Sequence, residues 1–173
     1  EDRSTSVLFG DGAGAVILTS REGSGSNKDT GILATDLNSD GRYRDLLYVN
    51  GGVSSTQTSG VLVMQGKEVF KHAVEKLSAT AGKVLEKADL SSTDVDWMVP
   101  HQASIRIIKA TAQKMNLPME KVIVTVQDHG NTSAASIPLA LAVANQEGKF
   151  KKGDLILMEA IGGGLTWGSI VLR

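Results

Sequence analysis

Between residues 65 and 88 the apolar positions Val69, Phe70, Ala73, Val74, Leu77, Ala81, Val84, Leu85 and Ala88 recur at spacings of three and four. Such spacing lines one face of an α-helix with apolar side chains and leaves the other polar. The stretch predicts the longest helix of the chain, with Lys71, His72, Glu75 and Lys76 on its solvated side. Beyond it, short β-branched runs alternate with helical ones. They predict a strand at 96–99, a helix from 102 to about 115, a strand at 122–126, a helix from 133 to about 146, and strands at 154–161 and 165–172 around Gly162-Gly163-Gly164. Strands alternating with helices of this length imply right-handed βαβ units and a mainly parallel sheet covered on both faces. The last two strands, joined by glycines, read as an antiparallel hairpin at the end of that sheet.

Upstream of the long helix the pattern is shorter and more broken. Runs at 6–9 and 13–19 flank Gly10-Asp11-Gly12-Ala13-Gly14 and read as two strands around a tight glycine turn. A dinucleotide-binding glycine loop would have to open a helix, whereas 15–19 reads as strand. Residues 21–30, rich in Gly, Ser, Asn and Lys, form a loop suited to separate two lobes, 1–20 and 31–173. A strand at 31–37, a turn at 38–41 and an exposed polar excursion at 50–60 complete this portion.

Composition narrows the class. A chain of 173 residues buries roughly 70% of its unfolded surface, enough for one full core or for one large and one fragmentary one. With 41% hydrophobic and 21% charged residues it reads as globular, not disordered. A formal net charge of −1 offers no global attraction to nucleic acid or an anionic membrane, so neither is an expected partner. No apolar run approaches the ~20 residues of a membrane span. The absence of cysteine removes disulfides and thiolate metal sites and fits a reducing, cytoplasmic location. An opening Glu1-Asp2-Arg3-Ser4 in place of Met, with a β-rich run soon after, suggests a chain that begins within something larger.

The chemistry concentrates where the predicted strands end. His101 follows the strand at 96–99, Asn131 follows the strand at 122–126, and the glycine run follows the strand at 154–161. In open α/β sheets reactive groups collect at that carboxyl edge. His101 and Asn131 each donate a hydrogen bond without carrying charge, and two such donors can hold one developing oxyanion. Each position also has a plain structural reading: a capping histidine, a turn asparagine, and glycines serving a tight hairpin. Neither a zinc spacing nor a Gly-x-Ser-x-Gly elbow accompanies the histidines, so no metal is expected. A thiolate-dependent reaction would need a residue that this polypeptide lacks.

Five motifs carry a resemblance. They are Phe9-Gly10-Asp11-Gly12-Ala13-Gly14-Ala15, Met64-Gln65-Gly66-Lys67-Glu68-Val69-Phe70, Val99-Pro100-His101-Gln102-Ala103, His129-Gly130-Asn131-Thr132-Ser133-Ala134-Ala135-Ser136 and Gly162-Gly163-Gly164-Leu165-Thr166-Trp167-Gly168. In this order the chain resembles the carboxyl-terminal half of the β-ketoacyl-acyl-carrier-protein synthase III family, the initiating condensing enzymes of type II fatty acid synthesis. The resemblance implies an α/β, thiolase-like fold: the C-terminal βαβαβαββ half plus, in 1–20, the last strands of the N-terminal half. It implies a homodimeric enzyme that transfers an acyl group from acyl-CoA to a cysteine and condenses it with malonyl-acyl carrier protein, with loss of carbon dioxide.

By the same resemblance His101 and Asn131 bind the malonyl thioester oxygen, and the backbone of Gly163 completes the acyl-transfer oxyanion site. Met64, Gly66, Phe70 and Ala103 match the wall of a pantetheine channel, although ordinary packing serves Met64 and Phe70 as well. Lys71, Arg106 and Lys114 match positions that meet acyl carrier protein; Lys109 is a further candidate, and a solvated helix face also accounts for Lys109 and Lys114. Where the family often has Asn after His-Gln-Ala, this chain has Ser104. Coenzyme A and the carrier's phosphopantetheine enter as substrates, and no cofactor is expected. Because the family's cysteine lies in the N-terminal half, the chain is expected to be inactive alone. A noncatalytic piece that binds carrier protein or itself, and a chalcone-synthase or polyketide-type relative, are the alternatives.

Overall fold

The protein is described by a computed structural model over residues 3–173. In chain order its elements are α1 (Arg3–Ser6), β1 (Ile32–Ser39), β2 (Leu47–Val49), β3 (Leu62–Met64), α2 (Gly66–Lys87), β4 (Trp97–Pro100), α3 (Ile105–Lys114), α4 (Val126–His129), α5 (Ser136–Gln146), β5 (Ile156–Gly162) and β6 (Thr166–Leu172). The main sheet has the order β1-β6-β5-β4. Only β4 and β5 run parallel, while β6 is antiparallel to both β1 and β5. The expected C-terminal hairpin is present, but the sheet is mixed and not mainly parallel.

The missing parallel strand has a physical cause. The segment predicted as a strand at 122–126 makes a single parallel bridge, Val122 to Met98, with the Ile123 N–H donating to the Met98 carbonyl at 2.9 Å. Two residues later the backbone amides are taken by a side chain. Gln102 Oε1 accepts from Thr125 N at 2.8 Å and Val126 N at 3.2 Å, and the chain turns into α4.

The α2 stripe packs as the spacing predicts. Val69, Ala73, Leu77, Ala81, Val84 and Leu85 are buried, and with α3 they cover one face of the sheet around Met98, Leu157 and Val171. Losing one such side chain typically costs roughly 2–5 kcal/mol. His72 is half-buried on the expected solvated side, its ring tilted at 49° against Tyr43 with centroids 4.3 Å apart. On the other face α5 covers only β4 and β5, through Val99, Ile123, Ala140 and Ala144 with Ile156 and Met158. There Leu37 on the edge strand β1 remains 79% exposed.

Two runs expected as strands are not strands. Residues 6–9 hold the end of α1, a turn and one bridge from Phe9 to Asn131, and residues 13–19 have no regular structure. A strand requires hydrogen-bond partners for its backbone, and among the described residues no backbone hydrogen bond or bridge joins 13–19 to a neighbour. Val16, Ile17 and Leu18 are exposed, Ile17 to 92%. Residues 1 and 2 of the expected N-terminal lobe lie outside the described residues. The polar excursion at 50–60 is a loop, and it joins a short antiparallel pair, β2 and β3, that the periodicity did not reveal. Among the described residues no helix is long and apolar enough to cross a membrane.

Candidate active site

One cavity of about 780 Å³ gathers residues from elements distant in sequence. Its lining includes His101 after β4, Asn131 after α4 and Gly163 between β5 and β6, together with Met64, Gly66, Phe70 and Ala103. All seven positions singled out as site or channel residues therefore border the same space. Arg106 borders it too, with its guanidinium 5.3 Å from the centre of the Phe70 ring, a cation–π contact. Lys71 and Lys114 do not. Lys114 lies eight residues beyond Arg106 on α3, ~12 Å along the axis, and borders a separate hollow of about 310 Å³ beside α2.

His101 stands at the end of β4 because the sheet ends there. Its N–H donates to the Glu159 carbonyl at 2.8 Å, one step beyond the Pro100–Glu159 register pair. The next residue turns the chain away: Gln102, 1% exposed, donates from Nε2 to the carbonyls of Pro100 (2.8 Å) and Ile123 (3.2 Å). With the two bonds its Oε1 accepts, one amide side chain makes four hydrogen bonds, the full capacity of the group. Ser104 then caps α3, accepting from the Ile107 N–H at 3.3 Å. That cap accounts for serine at this position.

The imidazole is held as well. Nδ1 lies 2.6 Å from the Ser136 hydroxyl, which also accepts from the Gln102 N–H at 3.2 Å. Burial disfavours the charged ring and lowers its pKa below the ordinary 6.5, so His101 is neutral at pH 7. A neutral imidazole with Nδ1 engaged has Nε2 left for the cavity.

Asn131 is fixed from two directions. Its side-chain Oδ1 accepts from the Ser133 N–H at 2.9 Å, which leaves the amide Nδ2, a pure donor, as the group available to the cavity. Its backbone is clamped by residues 8–10: the Gly10 N–H donates to the Asn131 carbonyl (3.0 Å), and the Asn131 N–H donates to Leu8 (2.9 Å).

This clamp explains the glycine run better than a hairpin turn does. A Cβ on Gly10 would sit 2.3 Å from the His129 carbonyl oxygen, one on Gly12 would meet Thr132 and Leu139, and one on Gly14 would sit 2.3 Å from Pro138. Alternate positions thus press one side of an extended run against 129–139. Gly163 has a comparable constraint, since a Cβ there would meet the Leu47 carbonyl at 2.8 Å.

Chemically the site offers two neutral donors, backbone amides at a glycine run and a wall of Met64, Phe70, Leu47 and Leu62. Such donors suit a carbonyl oxygen that gains negative charge. Among the described residues, no three His, Asp or Glu side chains group as metal ligands. Gln102, Ser136 and the clamp at Leu8 and Gly10 were not anticipated as site-building residues, although all lie within the quoted motifs or beside them.

The sequence profile described as "3-Oxoacyl-[acyl-carrier-protein (ACP)] synthase III C terminal" matches residues 85–173. The chain belongs to this family. The companion profile, "3-Oxoacyl-[acyl-carrier-protein (ACP)] synthase III", matches residues 1–41. The chain is 70% identical over 172 residues to the Beta-ketoacyl-[acyl-carrier-protein] synthase III of Paracoccus denitrificans (strain Pd 1222), a match covering 99% of this chain and 53% of that relative. The enzyme of the same name from Ruegeria sp. (strain TM1040) matches with the same identity and coverage. The fold is the thiolase-like one of solved synthase III structures. That from Aquifex aeolicus VF5 superposes with a TM-score of 0.89 at 50% identity, covering 100% of this chain and 52% of its own. That from Pseudomonas aeruginosa PAO1 gives 0.90 at 42% identity, covering 99% and 52%. The chain spans about half the length of the curated relatives it matches.

Proposed function

We propose that this chain is the enolate-stabilising portion of a β-ketoacyl-acyl-carrier-protein synthase III. The supporting observation is the convergence of His101, Asn131 and Gly163 on one apolar-walled cavity. In this reading a malonyl thioester on acyl carrier protein loses carbon dioxide, and the electron pair of the broken C–C bond moves into an enolate. The enolate oxygen receives hydrogen bonds from His101 Nε2 and Asn131 Nδ2. The enolate carbon then attacks an acyl group carried by a cysteine and expels the thiolate. Removing one oxyanion donor typically costs about 10²- to 10³-fold in rate.

The cysteine must come from outside this polypeptide, which has none. Residues 1–20 would then be the end of an N-terminal half, and the working enzyme a cytoplasmic homodimer that takes acyl-CoA and acyl carrier protein as substrates and needs no further cofactor. Met64, Gly66, Phe70 and Ala103 would receive the pantetheine arm. Arg106 at the cavity, with Lys71 on α2 and Lys114 at the far end of α3, would meet the acidic carrier.

The chain alone, given acetyl-CoA and malonyl-acyl carrier protein, is expected to release no condensation product; measurable turnover would overturn the dependence on an outside thiolate. Reconstitution with the N-terminal portion of the Paracoccus relative tests the site itself. There His101→Ala should leave cysteine acylation intact, read by intact mass, and cut carbon dioxide release from malonyl-acyl carrier protein by at least 10²-fold. Equal loss of both steps would remove the assigned role.

A further inference from the structure

Ser136 is the first residue of α5 and is 2% exposed, and its hydroxyl meets two nitrogens. The Gln102 backbone N–H, 3.2 Å away, can only donate, so it occupies one lone pair of Oγ. His101 Nδ1, 2.6 Å away, can donate or accept according to tautomer. If Nδ1 carried the proton, Oγ would accept twice and its own proton would need a third partner. Among the hydrogen bonds of the described residues Ser136 Oγ has no third partner. If the hydroxyl proton points at Nδ1, every group is satisfied, and a buried hydroxyl left unsatisfied is costly.

We propose that Ser136 is a positioning residue that fixes His101 as the Nε2–H tautomer, so that the ring presents an N–H and not a lone pair to the cavity. The consequence for catalysis rests on the reading of His101 as an oxyanion donor; the tautomer assignment does not. A lone pair turned toward an enolate oxygen would repel the charge that the site has to hold. The arrangement also couples the two donors. Asn131 and Ser136 belong to one six-residue run, and Gln102 binds that run and the end of β4 together, so both donors are aimed from the same support.

The test is the two-bond ¹⁵N–¹H correlation spectrum of the imidazole in the ¹⁵N-labelled chain, recorded above the titration of His101. Nδ1 is expected at a pyridine-type shift and Nε2 at a pyrrole-type shift; the reverse pattern overturns the proposal without any variant being made. In Ser136→Ala, with folding verified by the backbone amide spectrum, both nitrogens should move toward averaged values. Retention of the parent shifts would count against Ser136. In Ser136→Thr, which keeps a hydroxyl, the parent pattern should return, and averaged shifts in a folded Thr variant would overturn the assignment. Failure of the functional reading is separable. An Nε2–H ring combined with undiminished decarboxylation in the reconstituted His101→Ala enzyme would remove the oxyanion role while leaving the Ser136 assignment standing.

Discussion

Glu159 is 1% exposed, and neither carboxylate oxygen has a hydrogen-bond partner in the described structure. Desolvation pushes its pKa from the ordinary 4.5 up to about 8, so the side chain is buried as the neutral acid at pH 7. Its neighbour but one across the sheet behaves oppositely. Asp36 and Glu159 both pair in register with Ser169, yet the Asp36 carboxylate accepts from Lys87, Thr80 and Asn38, each at 2.7 Å, which hold its pKa down to about 2. Partners, not burial alone, decide which carboxylate carries charge. The sign for Glu159 follows from linkage: between pH 4.5 and about 8 the folded chain holds a proton that the unfolded chain has lost. Its contribution is fully present below 4.5 and is lost as pH rises through about 8. Glu159→Gln, which keeps the shape and cannot ionise, should therefore gain stability relative to the parent across that window, on the order of a few kcal/mol. Denaturant midpoints of both proteins at pH 5 and pH 8.5 measure it, and a constant difference would show that Glu159 does not bury a proton.

At the scale of elements the glycines separate into those that touch something and those that do not. Gly10 has no room for a Cβ against the His129 backbone, whereas Gly82, exposed in the middle of α2, has nothing within 4 Å. Gly10→Ala should cost about 1–3 kcal/mol by forcing the clamp off Asn131, and the Asn131 amide resonance should shift with it. Gly82→Ala should stabilise by roughly 0.5–1 kcal/mol, because alanine loses less freedom in a helix interior. Thermal unfolding of the pair checks both directions, and the same sign for both would undo the distinction. The contrast also shows what was legible in the chain. The long helix, the hairpin around the glycines and the junction at His101 follow from periodicity and turn chemistry, which act over a few residues. The clamp does not, since it depends on residues 8–14 meeting 129–139, a contact of high sequence separation. Gln102 was hidden for a related reason: a glutamine that replaces strand hydrogen bonds looks like any polar residue after a strand. The β-branched composition of 122–126 argued for a strand, and the buried amide side chain overrode it.

For the whole molecule the unevenly covered sheet is the dominant fact. α2 and α3 cover one face, while on the other α5 reaches only β4 and β5, leaving a hollow of about 510 Å³ lined by Leu37, Ile137, Met158 and Ile170. Val16, Ile17 and Leu18 add an exposed apolar run. Soluble monomers rarely leave contiguous apolar surface of this kind in water. The chain spans 53% of its Paracoccus relative, so the remaining portion of such a protein is the natural candidate to remove this surface from water. Two measurements follow from the exposed area. The chain alone should bind 8-anilinonaphthalene-1-sulfonate with a large rise in fluorescence and should sediment above its 18.2 kDa as concentration increases. Addition of the N-terminal portion of the Paracoccus relative should suppress both. Leu37→Lys, placed on the edge strand, should reduce self-association while changing stability little, because the side chain it replaces is already mostly in water. A chain that stays monomeric and dye-free at all concentrations would show that the face is not a sticky one, and would leave the open hollow without an energetic demand for a partner.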